Sequence, residues 1–310
     1  MQISIIIPVF NEEENIVPLY KDILNVVKKK YSYEIIFIDD GSKDQTLNKI
    51  LEIKKKDKNV KFISFRHNFG KAEALNAGFE KAEGDIVFTM DGDLQDDPIE
   101  IPHFIEKINE GYDLVSGWKY KRLDPFGKRL PSKFFNELTR WITNIPLNDF
   151  NCGFKAYKKE VVKEIKLYGE LHRYVPALAS WKGFTVGEVK VQHRERLHGD
   201  SKYGWERLMK GFLDLFTINY LGSYRNKPLH LFGTLGFMFT SLGILTGLYL
   251  TIKWFQGYGL SDRPLLLLAI LLIVIGVQSV SIGLIADLIN YNKHNKINNK
   301  GKIKHSSFKD

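Results

Sequence analysis

The sequence holds one cysteine, Cys152, in 310 residues. No disulfide can form within the chain, so packing and hydrogen bonds have to hold the fold. The glycine fingerprints of the common nucleotide-binding folds are also missing. No G-x-x-x-x-G-K-[ST] run occurs, and the first strand-to-helix turn has no G-x-G-x-x-G, which argues against P-loop and dinucleotide chemistry. No basic, long-apolar leader opens the chain: Ile3–Val9 is already strand-like, so the first part is expected to stay on the side of the membrane where it is made. Finally, Asp, Glu, Lys and Arg are absent from two long stretches, Pro228–Ile252 and Pro264–Ala286. Each exceeds the ~20 residues that cross ~30 Å of hydrocarbon, so a hairpin of two transmembrane helices is expected over 228–290.

What is present is basic. Lys and Arg number 45 against 36 Asp and Glu, a net charge of +9. Such a balance suits nucleic acid, anionic membrane or phosphorylated substrates. The basic residues are dispersed and no aromatic-studded binding motif accompanies them, so nucleic acid is not expected as a partner. Lys293, Lys296, Lys300, Lys302, Lys304 and Lys309 make 291–310 a basic tail, which the positive-inside rule places in the cytoplasm. Two crossings return the region before them to the same side. Trp205–Tyr220 alternates basic and apolar residues at helical spacing, and 205–227 is expected to be an interfacial amphipathic helix and its linker. Gly243-x-x-x-Gly247 permits a close helix contact of the kind that makes homo-oligomers.

Residues 1–204 carry the chemistry. Short apolar runs alternate with helical patterns, the signature of an α/β fold with a mostly parallel sheet. Strands are expected at Ile3–Val9, Tyr33–Asp39, Val60–Arg66, Asp85–Met90, Tyr112–Ser116 and Thr185–Gln192. Helices are expected at Glu12–Lys30 with Asn11 as cap, and at Asp44–Lys56, Lys71–Ala82, Lys133–Thr143 and Lys158–Ile165. In such sheets ligands bind beyond the carboxyl ends of the strands. Polar residues stand there: Pro8-Val9-Phe10-Asn11-Glu12, Asp39-Asp40-Gly41-Ser42, Arg66-His67-Asn68 and Asp91-Gly92-Asp93-Leu94-Gln95. Asp91 and Asp93, two apart on a turn after a buried strand, can offer oxygens to one hard cation, Mg²⁺ or Mn²⁺, which keeps open positions for substrate phosphates. A diphosphate without a glycine cradle needs such a counter-charge. Asp39 is placed to accept hydrogen bonds from a nucleobase or ribose, and Asp40 to cap the next helix.

The set I-P-V-F-N-E (7–12), D-D-G-S-x-D-x-T (39–46), G-x-x-x-A-L-N-x-G (70–78) and D-G-D-L-Q (91–95) resembles glycosyltransferase family 2, of GT-A fold. N-C-G-F-K-A-Y (151–157), the run H-R-x-R-x-x-G-x-S-K-Y-G (193–204) and the terminal helices resemble its polyprenyl-phosphate glycosyltransferases. The resemblance implies transfer of a sugar from a nucleotide-sugar, with a UDP-hexose favoured, to a polyprenyl phosphate by an inverting displacement. It implies donor contacts from Pro8, Phe10, Glu12, Asp39, Asp91, Gly92 and Asp93, metal contacts from Asp91, Asp93 and Gln95, and diphosphate contacts from Arg196 and Lys202. Asp93, Arg196 and Lys202 would carry catalysis. Phe10 stands where many members have Tyr, and Asp97 where many have Pro, a change expected to matter little. Trp118 and Lys119 stand where many have Arg. Lys119, Arg122, Lys128, Arg129 and Lys133 are candidates to hold the acceptor phosphate, and Arg173 and Tyr174 to line its site. His193 and His198 are expected to form hydrogen bonds. Two alternatives stay open: another lipid or glycan acceptor, and a non-catalytic scaffold that binds nucleotide-sugars. Processive synthases carry Q-x-x-R-W, whereas Trp181 here follows Ala177-Leu178-Ala179-Ser180.

Overall fold

Gln2–Val9 is apolar at nearly every position and forms β1, inside the sheet. Its alternate residues go to opposite faces, as strand geometry requires. Ile3, Ile5 and Ile7 join one core and Ile6 the other. The computed structural model describes residues 1–120, 136–192, 194, 214, 216–224, 227–259 and 264–296. They fall into two compact units divided between Ile218 and Asn219.

In the first unit β1 is followed by α1 (Ile16–Val27), β2 (Ser32–Asp39), α2 (Thr46–Lys56), β3 (Val60–Ser64), α3 (Lys71–Lys81) and β4 (Ile86–Thr89). Next come a 3₁₀ turn at Pro98–Glu100, α4 (Ile101–Asn109), β5 (Leu114–Lys119), α5 (136–143), β6 (Lys155–Lys158) and α6 (Lys159–Glu164). A 3₁₀ turn at Leu171–Tyr174, α7 (Val175–Trp181) and β7 (Val186–Val191) complete it. The strands form one sheet in the order β3-β2-β1-β4-β6-β5-β7. β6 runs antiparallel to both its neighbours; the other pairings are parallel. Helices α1 and α4 bury Ile16, Leu19, Ile23, Phe104 and Ile105 on one face, and α3, α6 and α7 bury Leu75, Phe79, Val161 and Val175 on the other. This is the GT-A arrangement the motifs imply.

Several details differ from the expected pattern, and helices α4 and α7 lie where none was expected. Strand β6 lies where only the start of a helix was expected, because Lys155-Ala156-Tyr157-Lys158 is too short and too polar to show a period. Its helix begins one residue later, at Lys159. Asn11 is not a helix cap. Its backbone turns left-handed (φ 55°), its side-chain oxygen accepts from Lys43 N at 2.8 Å, and its own N–H donates to Ser42 Oγ at 2.9 Å. The chain therefore makes a turn first, and α1 starts at Ile16. Likewise Asp44 lies before α2 rather than opening it: its carboxylate accepts from Thr46 N at 3.0 Å, and Gln45 stands at the cap position.

The second unit contains α8 (Pro228–Phe255) and α9 (Pro264–Lys296), each with proline at its start. Stretches of 28 and 27 residues in them are long and apolar enough to cross a membrane. At 1.5 Å per residue each spans about 40 Å. They pack antiparallel along glycines: a Cβ on Gly236 would lie 2.6 Å from the Gly276 carbonyl oxygen, and one on Gly243 2.8 Å from that of Ala269. Phe237, Leu245, Leu267 and Leu288 face outward. Of the expected interfacial helix, only 214 and 216–220 are among the described residues, in helical conformation and leading into a π-turn at Tyr220–Tyr224.

Candidate active site

The carboxyl ends of β1, β2 and β4 share one edge of the sheet, and the antiparallel course of β6 brings the residues just before it, Cys152-Gly153, to the same edge. Loops from different strands are stitched together there. Asp40 N donates to Val9 O at 2.9 Å, Glu12 N to Thr46 Oγ1 at 2.9 Å and Gln45 N to Glu13 Oε2 at 2.8 Å. Asp39 is buried: one carboxylate oxygen accepts from Ser42 N at 3.0 Å and the other from Ser64 Oγ at 2.8 Å. Asp40 accepts from Phe69 N and Gly70 N, so it fixes the entry to α3. A Cβ on Gly41 would strike the His67 backbone at 2.5 Å, and its φ of 74° also favours glycine.

The acidic turn after β4 is tightly specified. Gly92 lies on the end of β1, where a Cβ would meet Val9 Cγ1 at 2.8 Å. Leu94 is buried yet left-handed (φ 63°), a conformation costly for leucine and held by its surroundings. Asp91 N donates to Asp96 Oδ2, and Gln95 N donates to Asp93 Oδ1, each at 3.2 Å. Asp93 is buried, and Gln95 is partly exposed. The carboxylate of Asp91 rests over Gly153, where a Cβ would sit 2.5 Å from its Oδ2.

Cations gather on these carboxylates. Lys71, the first residue of α3, donates to Asp91 Oδ1. Lys119 pairs with Asp96 at 3.0 Å, with side chains 12% and 0% exposed. Lys155, fully enclosed, donates to Cys152 O. Partial burial pushes the Asp91 carboxyl up, but the charges of Lys71, Lys119 and Lys155 outweigh it and hold its pKa at about 2. Burial pulls Lys155 down, whereas Asp96 and neighbouring groups carry Lys119 up against its burial. Burial raises the Cys152 thiol to about 12, so it is no nucleophile at neutral pH. His172, in the turn before α7, is pulled down to about 2 by burial and by Lys71 and Arg173, and is neutral. Its Nδ1 has no hydrogen-bond partner among the described residues.

Among the described residues no group of three or more His, Cys, Asp and Glu side chains could hold a metal ion. What the turn offers is smaller: carboxylates from Asp91 and Asp93 with the Gln95 amide beside them. These are hard oxygen donors, and a lysine ammonium already takes the place of a cation on Asp91. The set fits a divalent ion held by few protein ligands and completed by the phosphates of a substrate.

Pro8, Phe10 and Glu12 stand at the end of β1, and Glu12 Oε2 accepts from Asn15 Nδ2 at 2.6 Å. Arg173 pairs with Glu170 at 2.8 Å and Asp214 at 3.7 Å, and Tyr174 is buried. Arg122, Lys128, Arg129, Lys133, His193, Arg196, His198 and Lys202 lie outside the described residues. Asp97 does more than its substitution for proline suggested. It accepts from Ile99 N at 3.1 Å and pairs with Arg194 at 2.7 Å; Arg194 also pairs with Asp22 at 2.7 Å, and its N–H donates to Gln95 O at 3.1 Å. Lys71, Gly153, Lys155 and Asp96 are the residues that motif reading passed over. Lys71 occupies an unspecified position of G-x-x-x-A-L-N-x-G, and Gly153 and Lys155 lie in N-C-G-F-K-A-Y, for which no physical role was apparent.

Residues 4–166 match the model of glycosyl transferase family 2. The chain is 35% identical to a dodecaprenyl-phosphate galacturonate synthase of Rhizobium johnstonii, over 93% of this chain and 88% of that relative. It is 37% identical to an undecaprenyl-phosphate 4-deoxy-4-formamido-L-arabinose transferase of Shewanella sediminis, over 93% of this chain and 86% of that one. Among solved structures, glucosyl-3-phosphoglycerate synthase of Mycobacterium tuberculosis, in complex with Mn²⁺, UDP-glucose and glycerol 3-phosphate, superposes with a TM-score of 0.54 at 20% identity, covering 71% of this chain and 79% of that one. The chain belongs to glycosyl transferase family 2, and it is a glycosyltransferase.

Proposed function

We propose that this family 2 enzyme transfers a sugar, with a UDP-hexose favoured, from its nucleotide to a polyprenyl phosphate at the cytoplasmic face of a membrane. One observation carries the reading. The two curated relatives are named for different sugars but both for a polyprenyl phosphate, and each matches 93% of this chain. The match is too long to stop at the first unit. Residues 1–204 would be the catalytic domain, 205–227 its interfacial helix and linker, 228–290 a two-pass anchor and 291–310 a cytoplasmic tail.

The acceptor sets the chemistry. A phosphate monoester has a second pKa of ~6, so its oxygen is anionic near neutral pH and needs no general base. That oxygen attacks the anomeric carbon from the face opposite the nucleotide; the new C–O bond forms as the bond to the nucleoside diphosphate breaks, with inversion. Positioning and electrostatics do the rest. Asp91, Asp93 and Gln95 would hold Mg²⁺ or Mn²⁺, which would neutralise the departing diphosphate. Pro8, Phe10, Glu12, Asp39 and Gly92 would seat the nucleotide, and Arg196 and Lys202 would reach the diphosphate. Arg122, Arg129 and Lys133 would receive the acceptor phosphate, whereas the Lys119 ammonium, the fourth candidate, is already engaged by buried Asp96.

The test is transfer from a panel of radiolabelled UDP- and GDP-sugars to undecaprenyl phosphate by the purified protein. A lipid-linked product that disappears with EDTA and in Asp93→Ala is expected. Folded protein that gives no product from any donor would overturn the acceptor.

A further inference from the structure

We propose that Lys71 is a displaceable resident cation of the metal site: its ammonium holds Asp91 until a divalent ion arrives with the nucleotide, and the ion has to exchange it. The inference rests on the reading of Asp91 as a metal ligand.

Four observations converge. The first is occupancy. Lys71 Nζ lies on Asp91 Oδ1, and a divalent ion bound to the same carboxylate at ~2.1 Å would leave two cations within a few ångströms of each other. The second is exposure. The Lys71–Asp91 side chains are each 32% exposed, while Asp96 and Lys119 are 0% and 12% exposed. A pair one-third open to water separates at lower cost than an enclosed one. Lys119 is therefore the fixed partner in the site, and Lys71 is the exchangeable one.

The third is placement. Lys71 opens α3, the end of a helix whose dipole disfavours a cation. Asp40 serves the N–H groups of Phe69 and Gly70 just before it. The helix dipole does not favour a lysine there, but the Asp91 carboxylate does. The fourth is Gly153, whose missing Cβ lets the Asp91 carboxylate take a place that any side chain there would exclude.

Exchange makes metal and donor interdependent. Before the donor binds, a metal ion must strip Lys71 from its partner. Once a diphosphate is present, the released ammonium has a new anion nearby. Each ligand then favours the other by the same factor.

The experiment is Mn²⁺ titration of the full-length protein in detergent, followed by electron paramagnetic resonance, with and without UDP, subtracting Mn²⁺ held by UDP alone. Lys71→Met should bind Mn²⁺ more tightly than wild type in the absence of UDP, by on the order of tenfold, and should show a smaller tightening when UDP is added. Lys71→Arg, which keeps the charge, should stay near wild type. Lys71→Met that folds, by circular dichroism, but binds Mn²⁺ equally or more weakly would overturn the exchange. If instead wild type and Asp91→Asn bind Mn²⁺ alike with UDP present, Asp91 is not a ligand, and the metal reading fails along with it.

Discussion

Both units of this protein use glycine to bring groups closer than a side chain would allow, and they do so for opposite ends. In the sheet unit Gly153 makes room for a charge: the Asp91 carboxylate lies where a Cβ would be, with Lys71, Lys119 and Lys155 around it. In the hairpin Gly236, Gly243 and Gly276 make room for the other helix, and the groups they approach include its backbone carbonyls and N–H groups as well as side chains. In a bilayer no hydrophobic force draws apolar helices together, so close backbone contact has to supply the attraction. In the sheet unit the two cores already do that, which leaves a glycine free to serve chemistry. The difference predicts that the same kind of substitution will damage activity in one unit and packing in the other.

Gly153→Ala should have the largest effect. The new methyl meets the end of a partly exposed side chain, which can swing aside, so the melting transition of the sheet unit should hardly move. Asp91 then leaves its place, and an ångström of misplacement in a site that works by positioning costs about 100-fold in rate. Sugar transfer measured beside a thermal melt checks both halves. A variant that loses stability and activity in parallel would show that Gly153 is a packing glycine after all.

Gly276→Val should act the other way. Its Cβ would lie 2.7 Å from both the Gly236 oxygen and the Thr240 nitrogen, which are backbone atoms that cannot rotate away. The helices must part, at about 1–3 kcal/mol, the usual cost of overpacking. Gly247→Val is the control, since nothing lies within 4 Å of its Cβ position. Unfolding in mixed micelles should separate the two variants, while Mn²⁺ binding by the sheet unit stays the same in both.

Most of the first half of the sheet was legible in the sequence because β1, β2 and β4 are buried on both faces. Ile3–Val9 and Ile35–Asp39 are almost wholly apolar, and a polar turn after such a run marks a ligand edge. The Asp91-Gly92-Asp93 turn could be found this way. Strand β6 could not: four residues with a lysine at each end show no period, and pairing with β4 and β5, far away in sequence, makes it a strand. The same distance hid Gly153 and Lys155. Nothing local explains a glycine whose reason is a carboxylate sixty-odd residues earlier in the chain. Lys71 was hidden differently, because a lysine at the head of a helix looks like any solvated lysine until its partner is known. The hairpin was legible at once from its missing charges, but which glycines form its seam was not. Gly243 and Gly247 have the spacing of a helix-contact motif, yet only Gly243 meets the other helix.

The last expected effect, on pH, is spread over about two pH units and also divides the two units of the chain. His172 is held neutral, with its pKa near 2, chiefly by burial, against an ordinary value of about 6.5 in the unfolded chain. Below pH 6.5 the unfolded chain therefore binds a proton that the folded sheet unit does not, so stability falls as pH falls. The slope approaches about 1.4 kcal/mol per pH unit between pH 6 and 4 and fades to almost nothing above about pH 8. His172→Gln should remove that much of the slope, seen as the difference between the unfolding curves of wild type and variant across this range, since the other titrating groups are common to both. The glycine seam of the hairpin contains no titrating group, so its unfolding in the same samples should not follow the difference. If it did, the two units would unfold as one, and the division of labour between their glycines would have to be read as a property of a single cooperative structure.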